Sequence, residues 1–292
     1  MTNSAFEARA ALDQEFNTTP WRYMAKPFQI AGNLYYTGNL RVCTHLIDTG
    51  DGLILIDTGH PHTAFMLFHS IWSLGFNPCD VKYIIFSHGH TDHIGGANPF
   101  TELYGAKTFL GEPDVCDLES NGPFPAKPGF VPVSIDTALH DGDAVELGNT
   151  KIQFVSVPGH SPGSMAMFWD VHDKENIYRA GAFGGIGFLT LSEQALAEMN
   201  QPLSLQTDFR ESLMKVKDMP VDIFVGNHPW DNDTFGKYNK RNMDPSGPNP
   251  FINPYEWKET LEQKLIEFQD FLAGNSTHVA AISNHLNQQK QI

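Results

Sequence analysis

The stretch FSHGHTDHIGG, residues 86–96, places three histidines and an aspartate within six positions. It continues directly from the run VKYIIF at 81–86, which has the composition of a buried strand. Titratable side chains gathered at the end of a buried strand are typical of functional sites rather than of packing. The stretch therefore predicts a site at one end of a sheet.

Two histidines of this stretch, His88 and His90, are two residues apart, so both side chains can project the same way from an extended or turning segment. Asp92 and His93 follow on the same loop and can face a second point nearby. Neutral imidazole and carboxylate groups are good ligands for zinc and similar divalent ions. One loop cannot complete such a site, so the remaining ligands must come from other parts of the chain.

Two further turns repeat the pattern of an apolar strand followed by a histidine. VSVPGHSPGS at 155–164 contains His160, and DIFVGNHPW at 222–230 contains His228. A single histidine at a strand end is most often a solvated or capping residue, but three such turns in one chain favour a shared site. His160 and His228 are therefore candidate ligands.

The remaining histidines have ordinary structural interpretations. His45 alternates within a strand pattern, and His69 lies inside a helical pattern. His60 and His62 could line the site, because they follow Asp57 at a strand end. Their place at the start of a predicted helix favours a role other than ligation.

The 292-residue chain carries a formal net charge of −15, and its 19 lysines and arginines are spread along it. Binding to a phosphate backbone requires clustered basic residues, so nucleic acid is disfavoured as a substrate. The three separated cysteines include no CxxC pair, which indicates neither a disulfide framework nor a zinc ribbon. The hydrophobic content of 41% is ample for a packed core.

The N-terminal segment MTNSAFEARAALDQEF contains acidic residues and no apolar core, unlike a secretory signal. No window approaches about 18 uninterrupted apolar residues, the length needed to cross a membrane. The chain as given is therefore predicted to be cytoplasmic, with no membrane partner.

Strand patterns occur in two groups, each followed by helices, with no long linker between the groups. The first group extends to KTFLG at 107–111, and the second begins with KIQFVSV at 151–157. This order predicts an α/β fold in which two sheets pack face to face with helices outside.

Local signals add detail to this outline. The dipeptide Asp51-Gly52 predicts a hairpin turn, and apolar residues at helical spacing predict a helix over 256–272. Segments rich in proline, glycine and asparagine, at 119–132 and 231–255, are predicted to be irregular.

The motifs together resemble the metallo-β-lactamase superfamily: HGHTDH at 88–93, GH at 159–160 and NH at 227–228. LILIDTG at 53–59 is similar to the strand and turn before that family's first helix. The resemblance covers residues 28–230 and implies a four-layer αββα sandwich with a metal site at one edge of the two sheets.

The resemblance also implies a division of the chain around that domain. Residues 1–27 are expected to be a helical lead-in, and residues 231–292 a C-terminal loop and helices packed on the same domain. These C-terminal helices either cap the domain or form a homodimer contact.

Carried over residue by residue, the resemblance implies two zinc ions per chain. His88, His90 and His160 would bind the first metal, and the second would be bound by Asp92, His93 and His228. Asp57 matches a family aspartate that supports the ligands from behind. The alternative for Asp57 is an ordinary turn residue ahead of a helix.

One departure from the wider family narrows the resemblance. Lactonases and thioesterases of the superfamily carry a metal-bridging aspartate where YRAGAFGGIG, at 178–187, has Ala182. A site without that carboxylate is similar to the third subclass of metallo-β-lactamases, which binds two zincs through five histidines and one aspartate. PFQIAGNLYYTG at 27–38 also looks like the opening of that subclass.

The function implied is metal-assisted hydrolysis of a small carbonyl substrate, with a cyclic amide such as a β-lactam favoured. Asp92 would act as the catalytic residue that orients the attacking water. Phe124, Ala182, Phe183 and Phe188 are predicted to form walls of the substrate pocket, with ordinary packing as the alternative for each region.

Two other functions remain open. One is hydrolysis of a lactone, ester or thioester on the same metal site, which Ala182 disfavours. The other is a non-catalytic protein that binds a small ligand, which the full set of six predicted ligands disfavours.

Overall fold

The computed structural model describes residues 13–124 and 130–275, and the chain there forms two β-sheets flanked by helices. The strands of the first sheet are β1 Phe28–Ala31, β2 Leu34–Tyr36, β3 His45–Asp48, β4 Leu53–Ile56, β5 Val81–Ile85, β6 Lys107–Gly111 and β7 Thr137–Leu139. The strands of the second sheet are β8 Ala144–Leu147, β9 Thr150–Ser156, β10 Met165–Asp173, β11 Asn176–Phe183 and β12 Ile223–Val225.

The helices occupy the connections between strands and the C-terminal part of the chain. They are α1 at 13–18, α2 Ala64–Ser73, α3 Thr91–Ile94, α4 Asn98–Tyr104, α5 Glu112–Asn121, α6 Glu193–Glu198, α7 Ser204–Val216, α8 Thr234–Met243 and α9 Glu256–Leu272. None of the helices in the described ranges combines the length and apolar composition needed to cross a membrane.

The strand order of the first sheet follows the sequence from β1 to β7. Strands β1 to β4 pair antiparallel, whereas β4, β5, β6 and β7 pair parallel. Parallel neighbours require crossover connections, which α2, the α3–α4 pair and α5 supply. The carboxyl ends of β4, β5 and β6 therefore lie side by side at one edge of this sheet.

Alternation along the strands buries both faces of each sheet. In β4, Ile54 and Ile56 join the apolar cluster between the sheets, while Leu55 faces the outer helices. In β10, Trp169 lies between the sheets and Phe168 lies on the outer side. The sheets therefore pack face to face through one shared core.

Helices cover the two outer faces. Leu67 and Ile71 of α2 pack with Leu55 against the first sheet. Leu213 of α7 and Trp257 of α9 belong to the cluster on the second sheet. The four-layer αββα sandwich predicted from the sequence is confirmed.

Several local predictions are also confirmed. The Asp51-Gly52 dipeptide lies in the turn between the antiparallel strands β3 and β4. Helix α9 spans the predicted residues 256–272. The predicted lead-in and C-terminal segments extend to residues 1–12 and 276–292, which lie outside the described residues.

The prediction that 231–255 is irregular is wrong, because this segment contains α8. Its glycine and asparagine content disfavours a helix locally, but tertiary contacts stabilise it. Phe235 is buried in the core between the sheets, and Arg241 donates hydrogen bonds to the carbonyl oxygens of Gln29 and Ile30. Lys237 forms a largely buried ion pair with Glu256 of α9.

The segment 119–132 begins inside α5, so its first three residues are helical rather than irregular. Strands β7 and β8 and helices α5 and α6 have no predicted counterpart. Helix α5 is polar, and Asp114 is its one residue with a fully buried side chain. Its apolar residues Val115 and Leu118 are only partly buried, so its sequence carries a weak apolar periodicity.

Trp257 provides a test of how α9 contributes to stability. Its side chain is 1% exposed, packs on Phe168 and Phe224, and donates from Nε1 to the Val216 carbonyl at 2.9 Å. Replacing it with alanine leaves a large cavity, so we expect Trp257→Ala to lower the free energy of unfolding by about 3–5 kcal/mol.

Denaturant unfolding of Trp257→Ala beside Ile266→Ala measures this effect. Ile266 lies on the same helix with 58% of its surface exposed, so its replacement is expected to change stability by about 0.5 kcal/mol or less. If the two substitutions lowered the free energy of unfolding equally, this would contradict the packing of α9 on the second sheet.

Candidate metal centre

The predicted site residues lie in loops that follow the carboxyl ends of strands. Asp57 follows β4, the histidine loop follows β5, His160 follows β9 and His228 follows β12. Loops beyond the carboxyl ends of parallel strands form crevices where ligands bind. The face-to-face packing of the sheets brings loops from both of them to the same edge.

Six side chains form two adjacent triads. The first triad is His88, His90 and His160, and the second is Asp92, His93 and His228; within each, the potential ligand atoms lie within 4.8 Å of one another. The rings of His88 and His93, one from each triad, have centroids 4.1 Å apart. The structure thus brings together all six residues in the two groups expected from the sequence.

Hydrogen bonds fix the ring orientation of two buried histidines. The Ser87 hydroxyl donates to Asp57 Oδ2 at 2.8 Å, so its oxygen accepts from His88 Nδ1 at 2.9 Å. His93 Nδ1 donates to the same Asp57 oxygen at 2.8 Å. With hydrogens held on Nδ1, both rings direct Nε2 away from Asp57.

Backbone carbonyls orient two further rings in the same way. His160 Nδ1 donates to the Gly187 carbonyl at 2.5 Å, and His228 Nδ1 donates to the Arg41 carbonyl at 2.7 Å. A carbonyl oxygen can only accept, so Nε2 of each of these rings keeps its lone pair when the imidazole is neutral. Metal-binding histidines are commonly held by this kind of outer hydrogen bond.

His90 takes a different orientation. Its Nδ1 lies 3.0 Å from His160 Nε2. Since the proton of His160 is held on Nδ1, these two nitrogens either share one proton of His90 or both present lone pairs to a cation.

Two buried nitrogens test whether a metal fits. Among the described residues, Nε2 of His88 has no hydrogen-bond partner and Nε2 of His93 has only the Asp92 carboxylate at 3.5 Å, although both side chains are at most 1% exposed. Leaving a buried polar atom unpaired costs about 1–3 kcal/mol, so such atoms require an explanation. A metal ligated by these nitrogens supplies one, and the chemistry of both triads suits zinc.

Hydrogen bonds of Asp57 reach a histidine of each triad. Its carboxylate accepts from the Ser87 backbone N–H at 2.8 Å as well as from Ser87 Oγ and His93, and Asn227 Nδ2 lies 3.4 Å away. Its backbone has φ +59°, a left-handed conformation that costs about 1–3 kcal/mol and is concentrated at functional sites. Asp57 thus contacts His93 directly and is linked to His88 through the Ser87 hydroxyl.

The electrostatics of the first triad favour neutral imidazoles. Burial, together with the neighbouring histidines, lowers the pKa of His88 and of His160 well below the ordinary value. Burial also lowers the pKa of His90 to about 4. These rings are therefore unprotonated near neutral pH, which is the state that metal binding requires.

The second triad instead favours a positive charge. Burial alone would raise the pKa of Asp92, but His93 and other histidines hold it well below its usual range. Burial opposes the charged form of His93, but the carboxylates of Asp92 and Asp57 outweigh it and raise the pKa of His93 to about 10. A divalent cation satisfies the same preference.

Aromatic rings pack on His228 and on His60 and His62, the two histidines that follow Asp57. The ring of Trp230 stacks on His228 with centroids 4.6 Å apart and an angle of 4°. His60 and His62 pack edge-on against Phe16, each with its ring centroid 5.0 Å from that of Phe16. His60 and His62 belong to neither triad.

A cavity of about 370 Å³ adjoins the first triad. His90 and His160 form one wall, and the others come from α5, the loop after it, and the segment from α6 to α7. Phe124 lines this cavity, as its sequence position suggested, and its ring lies 5.4 Å from that of His90.

The other predicted pocket walls are corrected by the structure. Phe183 and Phe188 are at most 1% exposed and pack in the apolar cluster between the second sheet and its helices. Ala182 is 2% exposed in β11, within the core between the sheets. None of the three lines the cavity, because strand alternation and packing direct these side chains into the core.

The loop after β11 nevertheless shapes the site through its backbone. Gly185 has φ +73°, and a Cβ there would lie 2.2 Å from His160 Cδ2. Its N–H donates to the Asn227 side chain at 2.9 Å. A glycine is required at this position for the loop to pass beside His160 and present the Gly187 carbonyl to it.

Sequence reasoning missed Asp114. This carboxylate is 2% exposed and accepts hydrogen bonds from Gly89 N, Ser161 Oγ and Gly163 N. Burial raises its pKa to about 6, although these hydrogen bonds oppose the shift. The available signal was its position directly after β6, the parallel neighbour of β5, whose following loop carries His88 and His90.

Comparison with known proteins agrees with this architecture. Residues 38–173 match the Metallo-beta-lactamase superfamily. The crystal structure of BJP-1, a subclass B3 metallo-beta-lactamase of Bradyrhizobium japonicum, is similar with a TM-score of 0.78 and 31% identity, over 91% of this chain and 99% of that chain. The chain belongs to the metallo-β-lactamase superfamily, and its structural likeness is to subclass B3.

More distant relatives share part of the chain. Metallo-beta-lactamase domain-containing protein 1 of Xenopus laevis is 27% identical over 58% of this chain and 64% of its own length. An N-acyl homoserine lactonase of Bacillus thuringiensis is 26% identical over 48% of this chain and 62% of its own length. The matched region thus spans less than two thirds of either relative.

Proposed function

We propose that the protein is a dinuclear zinc-dependent hydrolase of a small carbonyl substrate, and that this substrate is a cyclic amide of the β-lactam type. The observation that carries this proposal is the pair of triads, together with the buried Nε2 of His88, which has no hydrogen-bond partner among the described residues. His88, His90 and His160 would hold the first zinc, and the second would be held by Asp92, His93 and His228.

Zinc bound in these triads supplies Lewis-acid polarisation of a substrate carbonyl and acidifies water toward a pKa of about 7. The chain's own contribution is orientation. Asp92 Oδ2 lies 3.5 Å from His93 Nε2 and 3.8 Å from His228 Nε2. Its low pKa keeps it ionised, so it can accept a hydrogen bond from the attacking water and hold that water for reaction.

The cavity favours a small substrate. Its volume of about 370 Å³ lies within the range of roughly 300–1,000 Å³ that is common for small-molecule sites. Phe124, Met199 and Leu205 give it apolar surface, and Asp117 and Asn200 add polar groups. A molecule with an apolar substituent and a polar reacting ring fits this lining.

The choice of a cyclic amide rests on two features. The likeness to BJP-1 extends over nearly the whole of both chains, and position 182 has alanine instead of a carboxylate. Hydrolysis of a lactone is the second candidate, because a lactonase is among the relatives at 26% identity. The same triads serve either reaction.

A matched substrate panel tests the proposal. Zinc-loaded protein is assayed on β-lactams by loss of ring absorbance, and on lactones and thioesters by product release. We expect turnover of β-lactams that is abolished by chelation and by His90→Ala. The control His172→Ala replaces an exposed histidine outside both triads and is expected to retain activity.

The outcomes separate the candidates. Turnover confined to lactones or thioesters would replace the cyclic amide by the second candidate. A protein that bound zinc but turned over nothing on the panel would contradict the proposed hydrolase activity and favour a ligand-binding role. Activity that persisted in His90→Ala would contradict the assignment of the first triad.

A further inference from the structure

We propose that Asp114 is a positioning residue that holds together the two loops which form the first triad. This inference rests on the proposed metal site but not on the identity of the bond cleaved. Asp114 itself belongs to neither triad, so its effect on the metal would be exerted through the backbone of both loops.

Three short hydrogen bonds converge on this carboxylate. Oδ2 accepts from Gly89 N at 2.6 Å and from Ser161 Oγ at 2.7 Å, and Oδ1 accepts from Gly163 N at 2.6 Å. Gly89 lies between His88 and His90, and Ser161 is adjacent to His160. One side chain therefore joins two loops that belong to different sheets and supply all three histidines of the first triad.

Close approach of the backbone makes these contacts possible. A Cβ on Gly163 would lie 2.4 Å from Asp114 N, and one on Gly111 would lie 2.1 Å from the Gly163 carbonyl oxygen. The loop after His160 is thus pressed against the start of α5. Glycine at these positions allows the carboxylate to reach both loops.

The second triad is anchored by other groups. Asp57 holds His93, and Asp231 Oδ2 accepts from the backbone N–H groups of Asn227 and His228 at 3.0 and 2.9 Å. Because the contacts of Asp114 lie at Gly89, Ser161 and Gly163, beside the first-triad histidines, loss of Asp114 should affect the first triad more than the second. This selectivity distinguishes positioning of the metal ligands from a general contribution to stability.

The test compares Asp114→Ala and Asp114→Asn with Asp231→Asn and Asp136→Asn in the full chain. Asp136 accepts from Thr108 N at 3.0 Å and joins neighbouring strands, so it controls for loss of a structural carboxylate. Zinc content and stepwise zinc affinity are measured by competition with a chromophoric chelator. Cobalt(II) absorption reports the geometry of the bound metal.

For Asp114→Ala we expect zinc affinity of the first triad to fall by about 10–100-fold, the usual effect of losing an outer partner of metal ligands. Asp114→Asn preserves the shape and one acceptor oxygen, so it is expected to recover part of the affinity. Asp231→Asn should weaken the second triad instead. Asp136→Asn should leave zinc affinity and the cobalt spectrum unchanged.

Two results would overturn the inference. One is unchanged zinc affinity and an unchanged cobalt spectrum in both Asp114 variants, even if their unfolding temperature falls. The other is equal weakening of both triads. If the wild-type protein binds two zinc ions and the Asp114 variants lose the first selectively, but no substrate is hydrolysed, this inference stands and the proposed hydrolase activity fails.

Discussion

Asp92→Asn is expected to lower kcat by about 10²–10⁴-fold, the range associated with loss of a positioned acid–base group. The carboxylate lies beside His93 and His228 and is held ionised by them. An amide in its place carries no charge and accepts protons poorly, so the attacking water loses its partner. The substitution is nearly isosteric, and the fold should be unaffected.

Steady-state kinetics on the best substrate of the panel, with zinc content determined for each sample, measures this effect. Asp173→Asn is the matched control, because Asp173 lies at the β10–β11 hairpin, outside both triads. A kcat for Asp92→Asn within a few-fold of wild type would contradict the role assigned to Asp92. Zinc content shows how much of the loss comes from departure of the second metal.

Asp57→Ala is expected to destabilise the metal-free protein by about 3–5 kcal/mol, because it removes one partner of a buried charged pair. Ser87, His93 and Asn227 all direct hydrogen-bonding groups at this carboxylate. Their burial leaves little access to water as a replacement. Zinc affinity should fall as well, since His88 and His93 lose the contacts that orient their rings.

Denaturant unfolding in the presence of a chelator isolates the stability effect from metal binding. Asp51→Ala, at an exposed position in the hairpin before β4, is the control and is expected to change stability by about 0.5 kcal/mol or less. If Asp57→Ala lowered the free energy of unfolding no more than the control does, Asp57 would not have the supporting role assigned to it.

The six members of the triads could be recognised as candidate ligands because they carry local signals, whereas their division into two triads was implied by the resemblance to the superfamily. Four of the six lie within HGHTDH at 88–93, and His160 and His228 each follow an apolar strand and a glycine-containing turn. The packing of the sheets converts these strand-end positions into neighbours. The pattern of an apolar strand followed by a histidine therefore identifies most of the candidate ligands.

Asp114 could not be recognised in the same way. An aspartate after a proline at the start of a helix is common for reasons of capping and helix dipole alone. Its partners Gly89, Ser161 and Gly163 are 25 to 49 positions away, and two of them offer only backbone N–H groups. Such contacts leave no side-chain signature in a single sequence.

The predicted pocket walls show a second limit. Phe183 and Phe188 lie close in sequence to the loop that contacts His160, but proximity along the chain does not fix the direction of a side chain. Both rings join the cluster under α7 and α9. Helix α8 shows the reverse case, in which long-range contacts stabilise a helix that its own composition disfavours.

Anomalous diffraction at the zinc edge, from crystals of the zinc-loaded protein, tests the central claim most directly. The account predicts two strong peaks in each chain. One would lie among the nitrogens of His88, His90 and His160, and the other among Asp92, His93 and His228. A single peak, or peaks away from these side chains, would contradict the dinuclear centre on which the proposed function depends.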